Sequence, residues 1–206
     1  MRDAFVKNYM KYDAWYDKNK FAFLSELKAL KRALPRRGKG LEIGVGTGRF
    51  AESLGITIGI DPCGKMIEMA QKRGVNACLG FGEDIPFLND VFDYAVIINT
   101  LCFVVNPRKS LEEAARVLKK NGKIIVGIID KESFLGRFYQ RKKSVFYKQA
   151  KFLSVEGVKG LLKETGFNSF SCYQTISVLP DEMSSVEKPK EGFGKGGFVV
   201  VSARKK

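Results

Sequence analysis

Leu41 to Phe50 reads Leu-Glu-Ile-Gly-Val-Gly-Thr-Gly-Arg-Phe, an apolar run carrying one acid that breaks into glycines at alternate positions. Gly44, Gly46 and Gly48 remove side chains from a turn after a strand, so backbone NH groups can approach a bound molecule and a helix can start close by. A turn of this kind marks a nucleotide site. A dinucleotide fingerprint needs G-x-G-x-x-G, and Arg49 stands where its third glycine would be. The next apolar run, Ile56 to Ile60, ends in Asp61. That places a carboxylate at the tip of the neighbouring strand, where it could accept hydrogen bonds from both hydroxyls of a ribose. Asp61 followed by Pro62 could also cap a helix, worth about 1 kcal/mol. Capping leaves the upstream glycines unexplained, so ribose binding is the favoured reading.

With Glu42-x-Gly44-x-Gly46-x-Gly48 and Asp61 in this order, the sequence resembles the class I S-adenosylmethionine-dependent methyltransferases, in the branch with the type 11 methyltransferase domain. Further matches are Gly82-Glu83-Asp84-Ile85-Pro86-Phe87, then Val91-Phe92-Asp93-Tyr94-Ala95-Val96, then Ala115-Arg116-Val117-Leu118-Lys119-Lys120-Asn121-Gly122. The resemblance implies S-adenosyl-L-methionine as cofactor, bound by Glu42, Gly44, Val45, Gly46, Asp61, Pro62, Met66, Gly82, Glu83, Ile85 and Asn99. In this reading Glu42 polarises the methionine amino group, through water, and Asp61 holds the ribose. Met66 packs on adenine or is an ordinary core methionine. Gly82, Glu83 and Ile85 match the adenine loop, but Phe81 stands where many relatives carry an acid two residues before the glutamate. Stacking and backbone are then left to hold the ring. Asn99 ends the fourth strand beside the expected methyl group, at a place where Asn also serves as a turn former.

The elements that must position these residues follow from periodicity. Phe5, Tyr9, Tyr12 and Tyr16, then Phe23, Leu27, Leu30 and Leu34 recur at helical spacing, giving an N-terminal helical cover over 1–37. From Gly40 the chain alternates strand and helix, with strands at 41–43, 56–60, 75–80, 94–99 and 123–129, which implies an α/β fold with a parallel sheet and helices on both faces. The cofactor-binding core is 38–130, a basic-aromatic insertion is 131–153, and 154–206 holds a helix and strands at 170–178 and 198–203, with 180–197 as a loop. The whole is one domain, 1–206. The resemblance implies a Rossmann-like, seven-stranded, mostly parallel sheet whose last strand runs antiparallel between the fifth and sixth.

Composition narrows the chemistry. Histidine is absent, which excludes His-containing triads and argues against zinc, so no metal is expected. The four cysteines are widely spaced with no C-x-x-C pair, so buried thiols are expected rather than disulfides. No stretch approaches the roughly 20 apolar residues of a membrane span, and no secretion signal opens the chain, so the expected location is the cytoplasm and no membrane partner is expected. The 36 Lys and Arg against 22 Asp and Glu give a net charge of +14, enough to attract an anionic partner.

Methyl transfer from a sulfonium is a direct displacement, so no dedicated nucleophile is required and no catalytic residue is assigned. After the fourth strand the chain reads Asn99-Thr100-Leu101-Cys102, not the Asn-Pro-Pro-Tyr of amino-methylating nucleic-acid enzymes. A small-molecule acceptor, with an anionic one open, is expected between Trp15 and Tyr16 and the segment carrying Phe134, Arg137 and Phe138. The rivals are an RNA methyltransferase using the basic surface and a cofactor-binding relative without transfer activity. Residues 133–155 carry Arg137, Arg141, Lys142, Lys143, Lys148 and Lys151 interleaved with aromatics. They fit a lid, a nucleic-acid surface, or a solvated helix whose aromatics dock on the domain.

Overall fold

A computed structural model describes residues 2–142 and 144–206. Met1, the first residue of the helical cover, and Lys143, one of the basic residues of the insertion, lie outside the described residues.

The sheet holds β1 (Gly40–Ile43), β2 (Ile58–Asp61), β3 (Asn76–Leu79), β4 (Phe92–Ile98), β5 (Leu118–Ile129), β6 (Phe167–Thr175), β7 (Lys190–Glu191) and β8 (Phe198–Lys205). Their spatial order is β3-β2-β1-β4-β5-β8-β6-β7. The first five strands run parallel. β8 lies between β5 and β6 and runs antiparallel to both, as the family resemblance implied. The sheet has eight strands rather than the expected seven. The extra strand, β7, is two exposed residues paired with Tyr173 and Gln174 at the sheet edge, inside the polar stretch that reads as loop. Without apolar alternation it leaves no sequence signal.

Most strand boundaries shift by one or two residues, and two strands depart by more. β6 begins at Phe167 and ends at Thr175, three residues earlier at each end than its alternation suggests. β5 begins at Leu118, directly after its preceding helix; the Asn121-Gly122 turn is absorbed as an irregularity in the β4–β5 ladder, with Asn121 at φ +61°.

The helices are α1 (Arg2–Lys18), α2 (Lys20–Ala33), α3 (Arg49–Leu54), α4 (Gly64–Lys72), α5 (Pro107–Val117), α6 (Phe134–Arg141) and α7 (Val155–Glu164), with a 3-10 turn at Tyr147–Gln149. No described helix is long and apolar enough to cross a membrane. Because strand side chains alternate, the sheet divides the core into two apolar layers. Val96 and Ile98 join Tyr16, Phe23 and Phe50 under α1, α2 and α3, while Ala95 and Ile97 join Leu111 and Leu162 under α5 and α7. Glu42 pairs in register with Val96, on the strand between Leu41 and Ile43, both of which serve the second layer. The pleat therefore turns its carboxylate toward the helical cover.

The basic-aromatic insertion forms α6, the 3-10 turn and extended chain. Tyr139 and Phe152 are buried and Phe134 and Tyr147 pack on the first layer, whereas Arg137, Arg141, Lys142, Lys148 and Lys151 are exposed. This is the arrangement of a solvated segment docked by its aromatic side chains.

Candidate functional site

Beyond Ile43 the chain turns through three left-handed glycines, with φ +76° at Gly44, +53° at Gly46 and +83° at Gly48. Each answers to a different neighbour. A Cβ on Gly44 would collide with Thr100, and one on Gly48 would come within 2.9 Å of the Ala70 backbone. A Cβ on Gly46 would meet nothing nearer than the Tyr12 ring at 3.7 Å. Two of the glycines therefore serve packing, and Gly46 leaves open space in front of the turn.

The turn is tied to the next strand. The amides of Gly44 and Val45 both donate to the Ile60 carbonyl, at 2.8 and 2.9 Å. The Gly46 amide donates to Asp61 Oδ2 at 2.9 Å, and the Cys63 amide donates to Asp61 Oδ1 at 2.9 Å. Asp61 is thus oriented by backbone on both sides while remaining on a cavity wall. The second of these bonds is the local Asx-type turn that Asp before Pro favours. The helix itself starts later, at Gly64 after Cys63, so Asp61 does not occupy the N-cap position.

A cavity of about 400 Å³ opens beyond the carboxyl ends of β1, β2 and β4, where parallel αβ sheets bind ligands. Of the residues anticipated from sequence, Gly44, Gly46, Asp61, Pro62, Met66, Gly82, Glu83 and Asn99 line it. Val45 and Ile85 lie behind its wall. Val45 is buried against Gly59, and Ile85 joins the second apolar layer with its amide donating to Glu113. Glu83 has a second task, since its Oε1 accepts from the Val105 and Asn106 amides at 2.8 and 3.1 Å and holds the loop after β4 against the cavity. Phe5, Tyr12, Thr100 and Phe103 also line the cavity without having been singled out as site residues. Tyr12 belongs to the segment Tyr12-Asp13-Ala14-Trp15-Tyr16, which resembles the aromatic opening of this methyltransferase branch, and Phe5 shares its helical spacing.

The acceptor-side residues are dispersed. Tyr16 is buried, with its ring centroid 5.4 Å from that of Tyr12 and its hydroxyl 2.7 Å from the Tyr12 hydroxyl. Trp15 and Phe134 pack half-buried on the first apolar layer. Phe138 and Arg137 are exposed, with the Arg137 guanidinium donating to the Glu132 carbonyl. None of these five lines the 400 Å³ cavity.

Two buried oxygens near the turn have no protein partner, one on Glu42, which does not line the cavity, and one on Asn99, which does. Glu42 is 1% exposed, and its Oε2 has no hydrogen-bond donor. Burial, reinforced by the charge of Asp61, pushes its carboxyl far above the usual carboxylate range. Asn99 is held at φ +50°, a left-handed conformation that a non-glycine residue adopts at a cost, and its buried Oδ1 is also without a donor. Only Asn99 Oδ1 is on a residue of the cavity wall, where a ligand could supply its donor.

The cover is clamped onto this turn by ions. Arg49, the residue that spoils the dinucleotide fingerprint, donates to both carboxylate oxygens of Asp13 at 3.0 and 2.7 Å and to both of Asp17 at 2.6 Å. Arg73 adds a bond to Asp13 at 2.9 Å and one to the Thr47 carbonyl at 2.6 Å. α1 is thereby fixed to the start of α3 and the end of α4, and Tyr12 is held over Gly46.

Comparison with known proteins gives this geometry its family. The methyltransferase domain model matches residues 41–126. A SAM-dependent methyltransferase of Thermotoga maritima, described as a possible histamine N-methyltransferase, has a crystal structure that superposes with a TM-score of 0.97 at 48% identity, covering 100% of both chains. The chain belongs to the S-adenosylmethionine-dependent methyltransferases. An uncharacterized protein of Methanocaldococcus jannaschii is 50% identical over 98% of this chain and 99% of its own length. A Haemonchus contortus N-methyltransferase in complex with S-adenosylhomocysteine shares the fold at 18% identity and a TM-score of 0.64, covering 87% of this chain and 52% of that one.

S-adenosylmethionine is the cofactor of this family, and the residues present fit it. The molecule brings a ribose diol, an adenine, an ammonium and a sulfonium. Asp61 offers an oriented acceptor for the diol, and Glu42 and Asn99 offer the donor-less acceptors that an ammonium or a bound water would satisfy. Among the described residues no Lys or Arg lines the cavity, which suits a ligand carrying positive charge.

Proposed function

We propose that this methyltransferase acts by direct displacement on a small-molecule acceptor enclosed beside Asn99 and Tyr12. One observation carries the reading. The wall of the cavity opposite the glycine turn is aromatic, built from Phe5 and Tyr12 of α1 and Phe103 after β4, and Phe5 packs edge-on to Phe103 at 5.1 Å between ring centroids. Such a wall can shield the transferring methyl group from water beside a small acceptor.

S-adenosylmethionine supplies an activated methyl group, so the task of the protein is to bind, align and desolvate. Asp61 and Glu42 anchor the two ends of the cofactor. The Phe5-Tyr12-Phe103 wall keeps the transfer space dry. The description of the Thermotoga relative as a possible histamine N-methyltransferase adds nitrogen to the candidate acceptor atoms. Cofactor and acceptor would meet in the cytoplasm.

Methyl-labelled cofactor, offered with panels of amines, carboxylates, phenols, thiols and bulk RNA, tests the proposal. Label in a small molecule supports it. Label in RNA alone, with binding that weakens steeply as salt rises, would overturn it in favour of a nucleic-acid acceptor drawn by the +14 charge.

A further inference from the structure

The cavity is apolar at one end, and the sheet order decides which part of the cofactor lies there. Asp61 ends β2, between the glycine turn that follows β1 and the loop that follows β3. That loop is joined to the strand tip by the Gly80 amide, which donates to the Asp61 carbonyl at 3.3 Å. On the β1 and β4 side the cavity wall carries Asn99, whose Oδ1 has no donor. On the β3 side it is made by Pro62 and Met66 after β2, by Phe81 after β3, and by Val105, whose amide Glu83 holds. S-adenosylmethionine is a chain with the ribose in the middle, a charged amino acid at one end and a flat, uncharged purine at the other. With the diol on Asp61, the amino acid goes to the polar end and adenine to the apolar one.

Phe81 governs what that end can recognise. It stands between Gly80 and Gly82, where a Cβ would come within 2.9 Å of Pro86 and 3.0 Å of Ser110 Oγ, so the loop lies close against the fold on both sides of it. Phe81 itself is 42% exposed and Val105 84%, which makes this end of the cavity a mouth open to water. The carboxylates nearby in the chain are engaged elsewhere or off the wall: Glu83 Oε1 accepts from the Val105 and Asn106 amides at 2.8 and 3.1 Å, and Asp84 is exposed and does not line the cavity. A carboxylate at position 81 could accept from the 6-amino group of adenine; a phenyl ring cannot.

Resting on the cofactor assignment above, we propose that this methyltransferase reads adenine by its faces and not by its 6-amino group, that Phe81 is the residue that sets this, and that cofactor analogues altered at position 6 of the purine are accepted. Apolar contact and stacking are indifferent to that position, because every purine presents a π face. A pocket that accepts no hydrogen bond from a group does not reject an analogue lacking it, whereas a pocket built to accept from that group rejects the analogue strongly. At the open mouth the amino group keeps its water, so its removal leaves no protein atom unpaired.

The test is calorimetric titration of the protein with S-adenosylhomocysteine, with the analogue carrying hydrogen in place of the 6-amino group, and with the N6-methyl analogue. The three Kd values are expected to lie within fivefold of one another. Phe81→Asp should bind S-adenosylhomocysteine fivefold or more tighter than the analogue without the amino group, since a carboxylate then faces position 6. If Phe81→Asp fails to fold, the three affinities of the parent protein decide. A parent that binds either analogue fivefold or more weaker than S-adenosylhomocysteine, or a folded Phe81→Asp that does not distinguish the two ligands by that factor, would overturn the proposal. Failure of S-adenosylhomocysteine itself to bind would overturn it together with the cofactor assignment.

Discussion

The Gly46 amide donates to Asp61 Oδ2 at 2.9 Å, joining the glycine turn after β1 to the tip of β2. This bond fixes the direction of a carboxylate that backbone amides orient on the cavity wall. Asp61→Ala is expected to cost about 2 kcal/mol of affinity for S-adenosylhomocysteine, roughly thirty-fold in Kd, because a charged acceptor is lost. It should also lower Tm, since the Gly46 and Cys63 amides lose their partner. Calorimetry beside thermal melts separates the effects: a lower Tm with unchanged affinity would leave Asp61 only a turn-forming role.

Gly46 and Gly48 are both left-handed, yet their substitutions should fail differently. Gly48→Ala drives a Cβ to within 2.9 Å of the Ala70 backbone and should mainly destabilise the fold. Gly46→Ala finds no clash and costs about 1 kcal/mol of backbone strain, a few degrees of Tm. Its methyl group stands in the cavity wall, so affinity for S-adenosylhomocysteine should fall tenfold or more. Equal affinities for the two folded variants would contradict this division.

The clamp of Arg49 and Arg73 on Asp13 carries a pH signature. Burial would raise the Asp13 carboxyl, but hydrogen bonds from Arg49, Thr47 and Arg73 outweigh it and hold the group at about 2. The folded value lies below the ordinary one of 3.8, so the clamp stabilises above that pH and is lost as pH falls toward 2. Asp13→Asn should lower stability near pH 7 by about 1–3 kcal/mol, with the deficit shrinking below pH 4. Denaturant melts across that range check it; a deficit that persists at pH 2 would assign the loss to packing.

Buried on α2 with no partner for its Oε2, Glu26 should give the opposite trend. Its folded value of about 8 lies above the ordinary 4.5, so the native state holds the proton more tightly than the unfolded chain. The stability it contributes is full below pH 4.5 and is lost as pH rises toward 8, by up to about 1.4 kcal/mol per pH unit. In the free protein, Glu26→Gln should therefore gain on the parent between pH 5 and pH 8 in denaturant melts. A constant difference across that range would mean that Glu26 is ionised and paired in solution.

What the sequence made legible is local. The three glycines, the acid between Leu41 and Ile43, and Asp61 at a strand tip are a spacing within one βα unit and the start of the next, so their order already implied their geometry. Tyr12 and Phe103 come together across the fold from α1 and the loop after β4; Tyr12 read either as part of an aromatic opening or as packing, and Phe103 alone does not differ from a packing aromatic. Glu26 was hidden by its own type, because an acid among Lys20, Lys28 and Lys31 reads as surface. The signal was there in outline: Ala22, Ala29 and Ala33 share its face at helical spacing, and small residues on both sides mark the stripe along which α2 meets the sheet. β7 could not have been read, being two exposed residues without alternation. The basic residues of the insertion fitted a lid, a nucleic-acid surface or a solvated helix alike, because sequence does not tell which side of α6 faces in.

The most direct test of the account is calorimetric titration of the protein with S-adenosylhomocysteine and with NAD, repeated on Glu42→Gln and Asp61→Ala. The account predicts one S-adenosylhomocysteine site, no heat from NAD, and weakened cofactor binding in both variants. Heat from NAD with none from S-adenosylhomocysteine, or cofactor affinity indifferent to both substitutions, would contradict it.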